Sequence, residues 1–203
     1  GRDVKALDIR SKTTGEARYG IDAKLPGMLY ARPVLPPTRF GCMVESVDDT
    51  AAKAVHGYIK TISIDDPSQI CQGWLAVVAK TYPAAIQAAD LVQVQWNKGP
   101  RSAVNEADLQ AESLRLIEDA NAGALFVDDG DVDESIKAAT TVIEQDFTTS
   151  TVLHFQLEPV NAVAYEEDGH WHFHSGTQWQ SLALPLLAQA MEVEQNAVTM
   201  HQY

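Results

Sequence analysis

Short apolar runs alternating with polar residues, and separated by glycine, proline and aspartate, fill the first half of the chain. Ala17–Ile21, Gly27–Val34, Val44–Val47, Tyr58–Ile64 and Trp74–Ala79 each read as a strand. Two helices are expected among them. Asp49 and Thr50 are placed to cap a short one over Ala51–Val55, with Gly57 as its stop. Thr81 is placed to cap the other, which has Pro83 in its first turn and an alanine-rich body running to Leu91. Asn97–Ala103, with Gly99, Pro100 and Ser102, reads as a linker, and Asn105–Ala120 spaces Leu109, Leu114 and Ile117 as a helix does, with acids on the other face.

A second unit is expected beyond that boundary. It opens with an extended segment over Ala124–Gly130, a short helix over Asp131–Ala139 and a strand over Thr141–Thr148. A strand over Asn161–Glu166, a turn at Asp168-Gly169, a strand over His170–Ser175, a helix from Gln180 to Met191 and a strand over Ala197–Gln202 follow. The class is α+β, with no internal repeat. A last strand without a cap leaves its pairing unfinished, so the C-terminus reads as a cut.

Composition narrows the function classes. The 203 residues are 45% hydrophobic and 21% charged, the range of an ordinary globular protein. No apolar stretch approaches the roughly 18 residues that a membrane-spanning helix needs. A formal charge of -13 repels phosphate backbones, which argues against nucleic acid as a partner. Cys42 and Cys71 stand too far apart for a zinc or iron-sulfur spacing, so any electron-transfer cluster is expected in another polypeptide or domain. The start, Gly1-Arg2-Asp3, shows no signal-peptide pattern, and localisation is not read from it.

Several residues invite chemical readings. His170, His172 and His174 alternate along one expected strand, so all three imidazoles share a face, the way a strand presents metal ligands. Same-face residues lie roughly 6.5 to 7 Å apart and no acidic partner is clearly placed, which favours a half-exposed strand face and no native metal site. His154 and Glu158 stand four apart, but Pro159 biases Glu158 toward extended backbone, so a polar turn is favoured over an acid–base pair. Glycine-rich phosphate loops and the Gly-x-Ser-x-Gly elbow are absent, which removes their nucleotide-binding and serine-hydrolase readings. Gly176-Thr177-Gln178 follows a strand and precedes a helix, where an amide can project beyond a sheet edge toward a ligand; helix capping by Thr177 is the simpler reading.

The order of these segments resembles the large subunit of the molybdenum hydroxylases, the xanthine dehydrogenase and aldehyde oxidase family. Thr14-Gly15-Glu16-Ala17-Arg18-Tyr19-Gly20-Ile21-Asp22, Leu25–Ala31, Val47-Asp48, Ile64-Asp65-Asp66, Leu75–Ala79 and Val94-Gln95-Trp96 are similar to the family's α/β hammerhead domain. Gly130-Asp131-Val132, Glu144–Phe147, His154–Pro159, Asn161–Ala164, Gly176-Thr177-Gln178, Gln180-Ser181 and Val198–His201 are similar to the start of its molybdopterin-binding domain. The second block is closest to the isoquinoline 1-oxidoreductase β-subunit branch, which also holds membrane-associated aldehyde dehydrogenases.

The resemblance implies a hammerhead domain over residues 1–97, a linker with a helix over 98–123 and a truncated molybdopterin-binding domain over 124–203. It implies that Gln178 is cofactor-binding, its side-chain amide approaching an oxygen ligand of molybdenum to orient and polarise it. The implied cofactor is molybdenum-molybdopterin in its cytosine dinucleotide form, bound in the intact enzyme and not by this stretch alone. Implied partners are the remainder of the large subunit, a separate iron-sulfur subunit or electron-transfer domain, and a small aldehyde or N-heterocycle substrate hydroxylated with water-derived oxygen. The family's GGGFG loop should begin directly after Tyr203 and its glutamate base further on, so the stretch is expected to be inactive by itself, with no catalytic residue of its own. A non-catalytic binding or scaffold module is the alternative.

Overall fold

The computed structural model describes residues 1–64, 66, 70–119, 121–127, 129–150, 152 and 156–202. In chain order the elements are α1 (Ile9–Thr14), β1 (Tyr30–Val34), β2 (Met43–Asp48), β3 (Tyr58–Ser63), β4 (Leu75–Ala79), α2 (Tyr82–Ala89), β5 (Gln93–Asn97), α3 (Glu106–Glu118), α4 (Val132–Ala138), β6 (Ala162–Glu167), β7 (His170–Ser175), α5 (Gln180–Ala190) and β8 (Val198–His201). Among the described residues no helix is long and apolar enough to cross a membrane. The chain divides into two compact units, Gly27–Asp146, and Gly1–Pro26 with Phe147–Tyr203.

In the first of these, β4 is the centre of an antiparallel sheet of order β1-β4-β3. Leu75, Val77 and Ala79 on β4 are fully buried. Val77 and Ala79 pack with Ala84, Ala85 and Ala88 of α2 and with Ala52 and Val55. Small alanines on the helix face meet Val77 and Ala79 of β4, with Tyr30, Val34 and Tyr58 packed around them. Thr81 starts this helix: its Oγ1 accepts a hydrogen bond from the Ala84 amide at 3.3 Å, and Pro83 lies in the first turn, where its missing N–H costs nothing. A two-stranded antiparallel ribbon, β2-β5, carries Trp96, whose indole Nε1 donates to the Gly73 carbonyl at 2.9 Å. Asn105 caps α3 by accepting from the Ala107 and Asp108 amides.

The other unit is built on a sheet of order β6-β7-β8, with β6 antiparallel and β8 parallel to β7. Asp168 and Gly169 both have positive φ, 52° and 81°, the conformation a two-residue hairpin loop requires between β6 and β7. The parallel neighbour needs a crossover, which α5 supplies. Phe173, Ala188 and Val198 form its buried core, surrounded by Trp171, Leu184, Leu187, Met191, Val193 and Met200.

Expectation and structure part at several points. Ala17–Ile21 is not a strand: Gly20–Asp22 is a 3₁₀ turn, closed by the Asp22 carboxylate accepting from the Tyr19 amide at 3.0 Å. That local side-chain bond competes with extended pairing. Among the described residues Thr141–Thr148 forms no strand either, and Val142, Ile143 and Phe147 are 57%, 87% and 85% exposed. Apolar β-formers make a strand only where another strand satisfies their backbone groups. The short helix over Ala51–Val55 is reduced to a 3₁₀ turn, Ala52–Ala54. Helix α1 was not anticipated; Gly15, left-handed at φ 78°, ends it. The Gly20 amide donates to Glu158 Oε1 at 3.0 Å, a tie between the first residues and the Phe147–Tyr203 part of the same compact unit.

Gly20 is buried, and Asn161 Oδ1 occupies the place where a Cβ on Gly20 would stand. Asn161 cannot easily move, since its Nδ2 donates to the Pro159 carbonyl at 2.8 Å and to Glu158 Oε1 at 3.2 Å. Gly20→Ala should therefore destabilise the protein by about 1–3 kcal/mol, read from denaturant unfolding. Gly1→Ala, whose Cβ meets nothing within 4 Å, is the control and should change nothing measurable.

Candidate functional site

Two parallel strands that lie side by side end at the same edge of their sheet. The carboxyl edge of such strands is where open α/β sheets leave room for ligands. In this protein they are β7 and β8, with His174 opposite His201. Beyond that pair the chain emerges as Gly176-Thr177-Gln178 on one side and Gln202 on the other.

The turn after β7 is held by polar ties. Thr177 Oγ1 accepts from the Trp179 amide at 3.3 Å, a turn that precedes the helix; Trp179 is the N-cap residue of α5 and makes no side-chain capping bond. Thr177 is thus not the N-cap of α5, which lies two residues further on at Trp179. Gln202 Oε1 accepts from Gln180 Nε2 at 2.8 Å and from the Thr177 amide at 3.5 Å. Gln178 is exposed, and its side chain has no hydrogen-bond partner among the described residues. It therefore offers an uncommitted, uncharged donor and acceptor at the carboxyl edge.

One face of β6-β7-β8 is covered by α5; the other carries His170, His172 and His174, joined by Tyr165 of β6 and Thr199 and His201 of β8. The imidazoles stack on one another. His174 lies over His201 with ring centroids 4.2 Å apart, and Tyr165 lies over His172 at 4.8 Å. His172 Nδ1 and His201 Nε2 are 3.1 Å apart, and His170 Nε2 meets Thr199 Oγ1 at 2.8 Å. No group of three or more His, Cys, Asp or Glu among the described residues is placed to hold a metal ion. Burial holds the His174 pKa below its ordinary value, and the neighbouring His201 and His172 add to this. A shallow cavity of about 200 Å³ opens beside His174, lined also by Arg18, Asp22, Lys24 and Val163.

His154 lies outside the described residues. Its partner in the acid–base reading, Glu158, uses one carboxylate oxygen to hold the Gly20 amide and the Asn161 side chain, a structural role. Cys42 is buried and Cys71 half-buried, and both are free thiols. Burial, with Asp66 nearby, raises the Cys71 pKa. Sequence reasoning passed over Gln202 and the place of His201 in the imidazole stack. Both arise from the parallel pairing of β7 with β8, which no local pattern reveals.

Residues 117–203 match the family model described as molybdopterin cofactor-binding domain. Over 201 residues the chain is 48% identical to the membrane-bound aldehyde dehydrogenase [pyrroloquinoline-quinone] of Gluconacetobacter polyoxogenes, covering 99% of this chain and 26% of that protein. It is 28% identical over 210 residues to isoquinoline 1-oxidoreductase subunit beta of Brevundimonas diminuta, again covering 99% of this chain and 26% of the relative. Among solved structures, the reconstituted CO dehydrogenase from Oligotropha carboxidovorans superposes with a TM-score of 0.68 at 19% identity, over 97% of this chain and 30% of that one, which shows a shared fold. The chain thus spans about a quarter of the length of these curated relatives.

The imidazole stack carries a pH dependence of known sign. A folded pKa below the unfolded one means that the unfolded chain takes up the proton first as pH falls. The stability contribution of His174 is fully present above the ordinary imidazole pKa of about 6.5 and is lost as pH falls from there through the depressed folded value. Urea-unfolding midpoints should drop between about pH 7 and pH 5, and His174→Asn should flatten that drop.

Proposed function

Because the chain belongs to the molybdenum hydroxylase family and includes part of its molybdopterin cofactor-binding domain, we propose that Gln178 forms part of the wall of the cofactor site in the whole protein. The proposed activity of that protein is hydroxylation of an aldehyde or N-heteroaromatic carbon with oxygen derived from water. When bound, molybdenum-molybdopterin supplies the two-electron redox chemistry, and the proposed form is the cytosine dinucleotide. An iron-sulfur subunit or domain is the proposed electron partner, in keeping with Cys42 and Cys71 being too few for a cluster.

The observation that carries the reading is the uncommitted amide of Gln178 at the carboxyl edge of β7 and β8. A neutral amide donates a hydrogen bond to an oxygen acceptor without adding charge, and a donor fixed in advance stabilises developing negative charge with little reorganisation. The proposed role of Gln178 is therefore orientation and polarisation, with no ligand bond to the metal. The Gluconacetobacter relative is named for pyrroloquinoline quinone, so the cofactor is to be identified directly from the metal and quinone content of the protein.

The test uses the natural protein that carries this sequence, with its partners. It should contain stoichiometric molybdenum and release cytidine monophosphate on acid hydrolysis. Gln178→Ala should lower kcat roughly ten- to hundred-fold while molybdenum content is retained. Unchanged kcat would remove Gln178 from the cofactor site, and quinone in place of molybdenum would overturn the cofactor assignment.

A further inference from the structure

We propose that Gln202 is a positioning residue: its side-chain oxygen fixes the β7–α5 turn and so sets where Gln178 presents its amide. The inference rests on the reading of Gln178 as a cofactor-facing group.

Packing does little to hold this turn. A Cβ placed on Gly176 would meet nothing within 4 Å, Gln178 and Trp179 are exposed, and α5 has no side-chain cap at its N-terminus. A turn without apolar anchoring takes its conformation from its hydrogen bonds. Two of these converge on one atom. Gln202 Oε1 receives the Thr177 amide, one residue before Gln178, and Gln180 Nε2, two residues after it. A single acceptor therefore brackets Gln178 on both sides.

Gln202 is carried there by β8, whose register with β7 places His201 opposite His174. The position of the turn is thereby tied to the sheet, and any change at residue 202 is passed to Gln178 without contact between them. Both bonds need only an acceptor at position 202. Glutamate retains that acceptor and leucine, of similar size, does not. Misplacement of a polar group by about 1 Å can cost a hundred-fold in rate, so loosening the turn should be visible in turnover.

The variants Gln202→Leu, Gln202→Glu and Gln178→Ala, and the double variant Gln178→Ala/Gln202→Leu, are made in the natural enzyme and matched for molybdenum content. Hydrogen–deuterium exchange of the 177–179 amides is read beside steady-state kinetics. Gln202→Leu should speed exchange there several-fold and lower kcat about ten-fold, with KM changed by less than about two-fold. Gln202→Glu should restore slow exchange and most of the turnover. In the Gln178→Ala background, Gln202→Leu should cause no further loss, because it acts through that residue.

Unchanged exchange at 177–179 in Gln202→Leu would overturn the proposal. So would an undiminished kcat in Gln202→Leu when Gln178→Ala is impaired, or a further loss in the double variant, beyond that of Gln178→Ala, as large as the loss Gln202→Leu causes by itself. If Gln178→Ala alone leaves kcat unchanged, the cofactor-facing reading fails and the catalytic half of this inference fails with it. The exchange result then still decides whether Gln202 holds the turn.

Discussion

Parallel pairing of β7 with β8 is the constraint from which the rest of the candidate site follows. Two parallel strands cannot be joined by a tight turn, so the chain must leave the sheet, cross one face and return. Helix α5 makes that crossing and buries Phe173, Val198 and Ala188 beneath it. Three consequences arise together. Both strand ends fall on one edge, the turn into α5 lies beside the end of β8, and the histidines are turned to the face that α5 does not cover. None of these would survive an antiparallel arrangement of the same segments.

The two faces of this small sheet are chemically unlike. Under α5, Trp171, Phe173, Val198 and Met200 supply ordinary apolar packing. On the other face aromatic rings are packed against one another: His172 Nδ1 meets His201 Nε2 at 3.1 Å, and His174 stacks on His201. Stacking with Tyr165 gives that face shape.

Legibility from sequence followed the range of the interactions. Strand β4 and helix α2 were readable because alternation, a threonine cap and an early proline are local signals, and the structure uses all three. The strand–turn–helix junction at Gly176-Thr177-Gln178 is also local, but it was the family resemblance that singled out Gln178 within it. Thr141–Thr148 misled because its residues satisfy strand propensity while no partner strand pairs with it among the described residues. Ala17–Ile21 misled for a different reason: Asp22 closes a turn on Tyr19, and Glu158, far along the chain, claims the Gly20 amide. Gln202 was invisible because its meaning depends on which strand lies beside β8.

The alanine seam between α2 and β4 limits how the first unit can vary. Ala84, Ala85 and Ala88 are buried against Val77 and Ala79, so a larger residue there must displace packed neighbours. Divergence in this helix is therefore channelled to its outward positions, such as Gln87, while the inward ones admit glycine or serine at most. Over evolutionary time the spacing between this helix and its sheet is a fixed dimension, and related proteins must either inherit it whole or rebuild both surfaces at once.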